Sequence, residues 1–165
     1  MAVKSEREIL KPGARAIEFH LRDVDGGSVR LEALRSLGTV VAVFYKVSCP
    51  VCQLALPFLD RIHQSGVNKG LRVVGISQDE DAATKAFMSR YGLTFASLLD
   101  EEEAGYIVSN AYGISSVPTT FVIEQDGTIS ASWAGFSKYE MENLGERVGQ
   151  SPFRQDEYVP AWKPG

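Results

Sequence analysis

Two cysteines, Cys49 and Cys52, are the only thiols in this chain, and they stand in Ser48-Cys49-Pro50-Val51-Cys52. An apolar, β-branched run precedes them and a helical pattern follows. Two sulfurs at that spacing in a helix's first turn can close into a disulfide with little backbone change. Cys49 then lies at the helix N-terminus, where unpaired amides and the positive end of the macrodipole favour the thiolate, the attacking species. Pro50 suits the first helical position because its missing N–H had no partner to lose. Cys52, one turn further in, is shielded. In this reading Cys49 attacks a partner's disulfide and Cys52 resolves the mixed disulfide. Stapling is a poor rival, since closing so short a loop removes little chain entropy. Metal binding is a better one, because thiolate pairs take soft ions. However, His63 is 14 residues beyond Cys49, roughly 21 Å along a continuous helix. His20 belongs to another element. Both histidines are read as structural or surface groups, and no metal is expected. A second element, Ser116-Val117-Pro118-Thr119-Thr120-Phe121, places a proline at the head of a strand, with Val117–Pro118 a candidate cis bond.

The elements that must position these residues alternate. Ala16 to Leu21 reads as a strand, Asp25-Gly26-Gly27 as a turn and Ser28 to Leu31 as a returning arm. Thr39 to Tyr45 and Leu71 to Ser77 read as strands covered on both faces. Pro50 to Gly66 has apolar residues at helical spacing, with Pro57 expected to kink it. Asp81 to Tyr91 is a helix that Gly92 should cap in the left-handed conformation. Phe95 to Leu99 is a short strand, and Glu101 to Tyr112 a helix ending at Gly113. Thr119 to Glu124 and Thr128 to Trp133 flank the hairpin signal Gln125-Asp126-Gly127. Ser137 to Val148 is a last amphipathic helix. The order predicts an α/β domain with a mixed sheet over residues 1–149. An extended tail follows over 150–165, with three prolines and interleaved aromatics.

Composition narrows the classes. With 165 residues and 44% hydrophobic content the chain can bury a core. Its eight Phe, six Tyr and two Trp argue against disorder. A formal charge of −4 disfavours a nucleic-acid binder. Two cysteines are too few for a stapled secreted scaffold. Met1 to Leu10 lacks the apolar run of a secretory signal, and no stretch is apolar enough to span a membrane. A cytoplasmic protein, acting as a monomer, is expected. The runs Asp79-Glu80-Asp81 and Asp100-Glu101-Glu102-Glu103 fall at predicted helix starts, where carboxylates cap free amides.

Together the cysteine site and the Val-Pro-Thr element resemble the thioredoxin superfamily. The resemblance is stronger to its TlpA/ResA-like thiol-disulfide oxidoreductases, related to the peroxiredoxin-like AhpC/TSA group. It runs from about Leu10 to Val148. Further markers are Pro12-Gly13, Phe19, Asp23-Val24-Asp25-Gly26, Leu31-Glu32-Ala33-Leu34-Arg35 and Val40-Val41-Ala42-Val43-Phe44-Tyr45. Pro57, Val73-Val74-Gly75-Ile76-Ser77, Tyr112-Gly113-Ile114 and Asp126-Gly127 continue the pattern. The resemblance implies a thioredoxin fold with an N-terminal β-hairpin extension and a central insertion near Thr94 to Ser109. It implies that Pro118 is cis and faces the cysteines, and that the Val117 backbone pairs with a substrate chain. Pro50, Val117, Pro118 and Thr119 are thus expected to shape the substrate groove.

The departures are specific. Thioredoxins proper carry a buried acid where Val43 stands, and TlpA-like members often carry a glutamate where Ala55 stands. Ser48 occupies a position that is often tryptophan. Lys46 is a cation near the site that could modulate Cys49, as could Tyr45, although a solvated lysine is the plainer reading. The peroxiredoxin pattern places proline and threonine seven and three residues before its reactive cysteine; Ala42 and Lys46 stand there. The expectation is therefore a disulfide reductase that needs no cofactor beyond the Cys49–Cys52 disulfide. It would act on protein or small-molecule disulfides, be refilled by an upstream thiol reductant and serve cell redox homeostasis. A thiol peroxidase with antioxidant activity, or a non-enzymatic adaptor or metal carrier on the same scaffold, are the alternatives.

Overall fold

The computed structural model describes residues 8–165. Most of the first ten residues, read above for a secretory signal, lie outside that range. The elements are β1 (His20–Asp23), β2 (Ser28–Arg30), α1 (Leu31–Arg35), β3 (Thr39–Tyr45), α2 (Pro50–Gly66), β4 (Leu71–Ser77), α3 (Asp81–Tyr91) and β5 (Ala96–Leu99). They continue with α4 (Ile107–Ala111), β6 (Thr119–Ile123), β7 (Ile129–Ala134), β8 (Phe136–Ser137), α5 (Lys138–Val148) and β9 (Trp162–Lys163). Seven strands form one mixed sheet in the order β2-β1-β5-β4-β3-β6-β7. β3 and β4, and β4 and β5, run parallel; the other neighbours are antiparallel.

β3 is an interior strand, flanked by β4 and β6, because its residues are apolar on both sides. Val41, Val43 and Tyr45 enter one buried cluster with α2 and α5, while Val40, Ala42 and Phe44 enter another behind the sheet. The α2 face holding Leu56, Leu59 and Ile62 is fully shielded, and each such side chain contributes about 2 kcal/mol of burial. The helix runs through Pro57, where the Gln53 carbonyl has no amide to accept from. Gly92 adopts the left-handed cap expected of it, at φ 61°.

Two expected elements differ. The first strand begins at His20, not Ala16. The Ala16 N–H donates to the Gly127 carbonyl and Arg15 bridges Thr128, so this stretch lies along the β6–β7 turn. The expected helix from Glu101 to Tyr112 is broken. A 3-10 turn at Glu102–Ala104 ends where Gly105 and Tyr106 both take positive φ, 78° and 50°. Asp100 then restarts the helix: its carboxylate accepts the Val108 and Ser109 N–H groups at 3.2 and 2.7 Å.

Residues 150–165 run across α2 to β8, with which β9 forms a separate two-stranded sheet. Arg61 on α2 donates to the Pro152 carbonyl at 2.8 Å and to both Glu157 carboxylate oxygens at 2.7 and 2.9 Å. Phe153 packs edge-on against Phe58, ring centres 5.0 Å apart. The Lys138 N–H donates to the Ala161 carbonyl, and β9 pairs with β8. Arg61 holds the Glu157 carboxyl down at about 2, below the ordinary value near 4.3. A depressed carboxyl contributes stability above its unfolded pKa and loses it as pH falls through the folded one. The stability difference between the native chain and Glu157→Gln should therefore hold constant above about pH 4.3 and vanish as pH approaches 2. Denaturant titrations at stepped pH would measure it.

Candidate active site

The end of β3 and the start of α2 bring Cys49 and Cys52 to the carboxyl end of the sheet, and both are free thiols. Cys49 is the N-cap residue of α2, and its Sγ accepts the Cys52 N–H at 3.2 Å. The sulfur therefore already meets one of the helix's orphan amides, which will also meet charge developing there during exchange. Pro50 follows at the first helical position and is exposed. Cys49 is half-buried, whereas Cys52 has no exposed surface. Burial and its neighbour Cys49 push the Cys52 thiol well above the ordinary thiol range. The two sulfurs thus differ in access.

Opposite them, Val117–Pro118 is cis. The Cys49 thiol donates to the Val117 carbonyl at 3.4 Å. Pro118 is buried and its carbonyl accepts the Gly135 N–H at 2.7 Å, continuing the β6–β7 ladder. The Thr119 hydroxyl donates to the Ser116 carbonyl at 2.8 Å, so it holds the loop in shape rather than facing outward.

Lys46 is exposed and forms no ion pair among the described residues. Tyr45 lies in the same cluster as Cys52. Its hydroxyl contacts Ser97 Oγ at 2.5 Å, and burial pushes it up to about 12. Tyr45 therefore stays a neutral phenol that walls the buried thiol. Val43 and Ala55 are both buried and apolar.

A carboxylate does reach the site, from the acidic run after β4. Asp79, in the loop after β4, accepts the Val47 N–H at 2.8 Å. The Val47 carbonyl in turn accepts Gln53 Nε2 at 3.0 Å. The peptide two residues before Cys49 is thus clamped on both sides. Asp79 also lies close enough to raise both Cys52 and Tyr45 electrostatically. Its only sequence signal is the acidic run Asp79-Glu80-Asp81 after a buried strand. Helix capping fits Asp100, whose carboxylate accepts the Val108 and Ser109 N–H groups, whereas Asp81 in the first turn of α3 pairs with Arg22. Capping does not fit Asp79.

His63 is half-buried; its Nδ1 accepts the Val73 N–H at 3.0 Å and burial lowers its pKa. His20 contacts Ser28 Oγ at the surface. Neither is at the cysteine site. Among the described residues, no three His, Cys, Asp or Glu side chains gather as a metal site.

Residues 12–132 match the family model described as AhpC/TSA family. The chain belongs to the AhpC/TSA family. Among its relatives, the thiol-disulfide oxidoreductase ResA of Halalkalibacterium halodurans is 31% identical over 126 residues, 76% of this chain and 69% of that protein. A putative thiol:disulfide interchange protein DsbE from Chlorobium tepidum superposes with a TM-score of 0.74 at 22% identity, covering 87% of this chain and 99% of that one. Peroxidoxin BcpB from Mycobacterium tuberculosis gives 0.72 at 24% identity, covering 85% and 97%. These structural likenesses place the mixed, helix-flanked sheet as a thioredoxin fold. Because a peroxidoxin and an interchange protein fit nearly equally well, the fold does not choose between their chemistries. Within the AhpC/TSA family, the ResA relationship identifies the chain as a TlpA/ResA-like member and an oxidoreductase.

Proposed function

We propose that this protein is a thiol-disulfide oxidoreductase in which Cys49 is the nucleophile and Cys52 the resolving thiol. The observation that carries the reading is the asymmetry of the pair. Cys49 is reachable and touches both a helix-start amide and the Val117 carbonyl, while Cys52 is sealed behind it. The ionised Cys49 sulfur attacks one sulfur of a substrate disulfide; the other leaves as a thiolate and takes up a proton. Cys52 then gives up its proton and attacks Cys49 Sγ, which releases the second substrate thiol and closes the Cys49–Cys52 disulfide. Two electrons and two protons pass to the substrate. In a reducing compartment such as the cytoplasm, an upstream thiol donor restores the dithiol, and the chain acts as a monomer. Among the described residues no helix is long and apolar enough to cross a membrane. Titration across glutathione buffers with alkylation and mass readout should give one two-electron transition. Two thiols that never join across the range would defeat the proposal.

A peroxidase reading stays tied to the AhpC/TSA match, but Ala42 is buried in the rear cluster and Lys46 is exposed. Neither supplies the proline or the hydroxyl of the peroxidase pattern. Peroxide consumption should stay at the background rate.

Asp79 gives the resolving step a handle. Its charge disfavours a Cys52 thiolate. Asp79→Asn keeps an oxygen for the Val47 N–H but removes the charge. The pH profile for resolving a preformed mixed disulfide should therefore move to lower pH. Stopped-flow traces at several pH values would read the direction, and a move to higher pH would contradict it.

A further inference from the structure

The chain's own last residues lie against the wall of the cysteine site. Gly165 is so close to Val117 that a methyl group on it would fall 2.5 Å from the Val117 carbonyl oxygen and 2.9 Å from its carbon. That oxygen is the one to which the Cys49 thiol donates. Just before it, Lys163 is equally tight on Gly135: a Cβ there would sit 2.2 Å from the Lys163 carbonyl oxygen. Gly135 takes φ +78° and pairs with Pro118. Two glycines thus let the tail's backbone come close to Val117 and to Gly135, the residue that pairs with Pro118. The approach is tethered by β9 on β8, by Lys138 to Ala161, and by the Arg61–Glu157 pair.

The family resemblance implies that a polypeptide substrate lies along Val117, whose carbonyl borders the Cys49 sulfur. The tail is already there. A small disulfide needs only access to the half-buried Cys49 sulfur and can approach without a long backbone contact. We propose that residues 161–165 form a strap that covers the Val117 edge, so that the dithiol acts on small-molecule disulfides in preference to protein disulfides. This rests on the thiol-disulfide reading above. A polypeptide substrate must first displace the strap, and its apparent affinity falls by the fraction of molecules in which the strap is open.

The test compares the full chain with one ending at Pro160, using oxidised glutathione and insulin as small and protein disulfides. Removing the strap should raise kcat/KM for insulin about tenfold and change that for oxidised glutathione by less than about twofold. Circular dichroism and a thermal melt establish that the shortened chain is folded. Gly165→Val keeps the whole tail while pushing its end off Val117, and should raise insulin turnover in the same direction. Equal insulin rates in the full and shortened chains, or equal gains on both substrates, would overturn the strap and leave the thiol-disulfide reading standing. Failure of every variant on both substrates would overturn the two together.

Discussion

Replacing Cys49 with serine is expected to reduce disulfide exchange to the uncatalysed background, whereas Cys52→Ser should stop the reaction halfway. A serine hydroxyl does not ionise near neutral pH, so Cys49→Ser has no nucleophile to offer. The half-buried sulfur is also the one that an incoming disulfide can meet. With Cys52 replaced, Cys49 still attacks but nothing releases the adduct. The chain should accumulate bearing half of its substrate, visible as a mass increase that a reductant reverses. If Cys49→Ser were instead the variant that trapped the adduct, the two roles would be exchanged. Serine at the fully buried position 52 removes a sulfur from a packed cluster, so a modest loss of stability should accompany the trapping.

Asp60→Ala should destabilise the fold by about 3 kcal/mol without touching the reacting sulfurs. Asp60 is buried on α2, eight residues beyond Cys52. One carboxylate oxygen accepts three hydrogen bonds: the Thr94 N–H at 2.7 Å, the Thr94 hydroxyl at 2.9 Å and the Phe95 N–H at 3.1 Å. The other accepts Gln64 Nε2 at 2.7 Å. Alanine leaves these donors without their acceptor at the entry to β5. Asp60→Asn keeps a carbonyl for the three and should cost only about 1 kcal/mol. Urea unfolding of both variants would measure this. An alanine variant as stable as the native chain would mean that the donors find other partners.

Several elements were legible in the sequence because their causes are local. Thr39–Tyr45, Pro50–Gly66, Leu71–Ser77 and Asp81–Tyr91 match their expected bounds. In each, an unbroken apolar run, a proline at a helix start or a capping glycine carries the signal within a few residues. The cysteine spacing and the proline at the head of β6 were legible for the same reason. What escaped depends on partners far apart. The break in the expected Glu101–Tyr112 helix requires an Asp100 side chain that reaches forward to Val108 and Ser109. The role of Asp79 requires the β4 loop to fold onto the one before Cys49. The course of the tail depends on Arg61 and Glu157, which are 96 residues apart. An isolated acidic or proline-rich stretch carries no sign of which distant group it will meet.

β3 has a parity that bears on precision. Val41, Val43 and Tyr45 pack with the active-site helix, and Val40, Ala42 and Phe44 with the cluster that contains Tyr112. A slip by one position would move the strand by about 3.3 Å and exchange the two sets. The Tyr45 hydroxyl would lose Ser97 and enter an apolar cluster, while Phe44 would turn towards Cys52. Such an error is prohibitively costly, so the strand has a single setting. Cys49 is joined to its end by three residues. The tolerance with which the sulfur meets the Val117 carbonyl is therefore inherited from the counting of a buried strand, as a tool's accuracy is inherited from the rail that carries it.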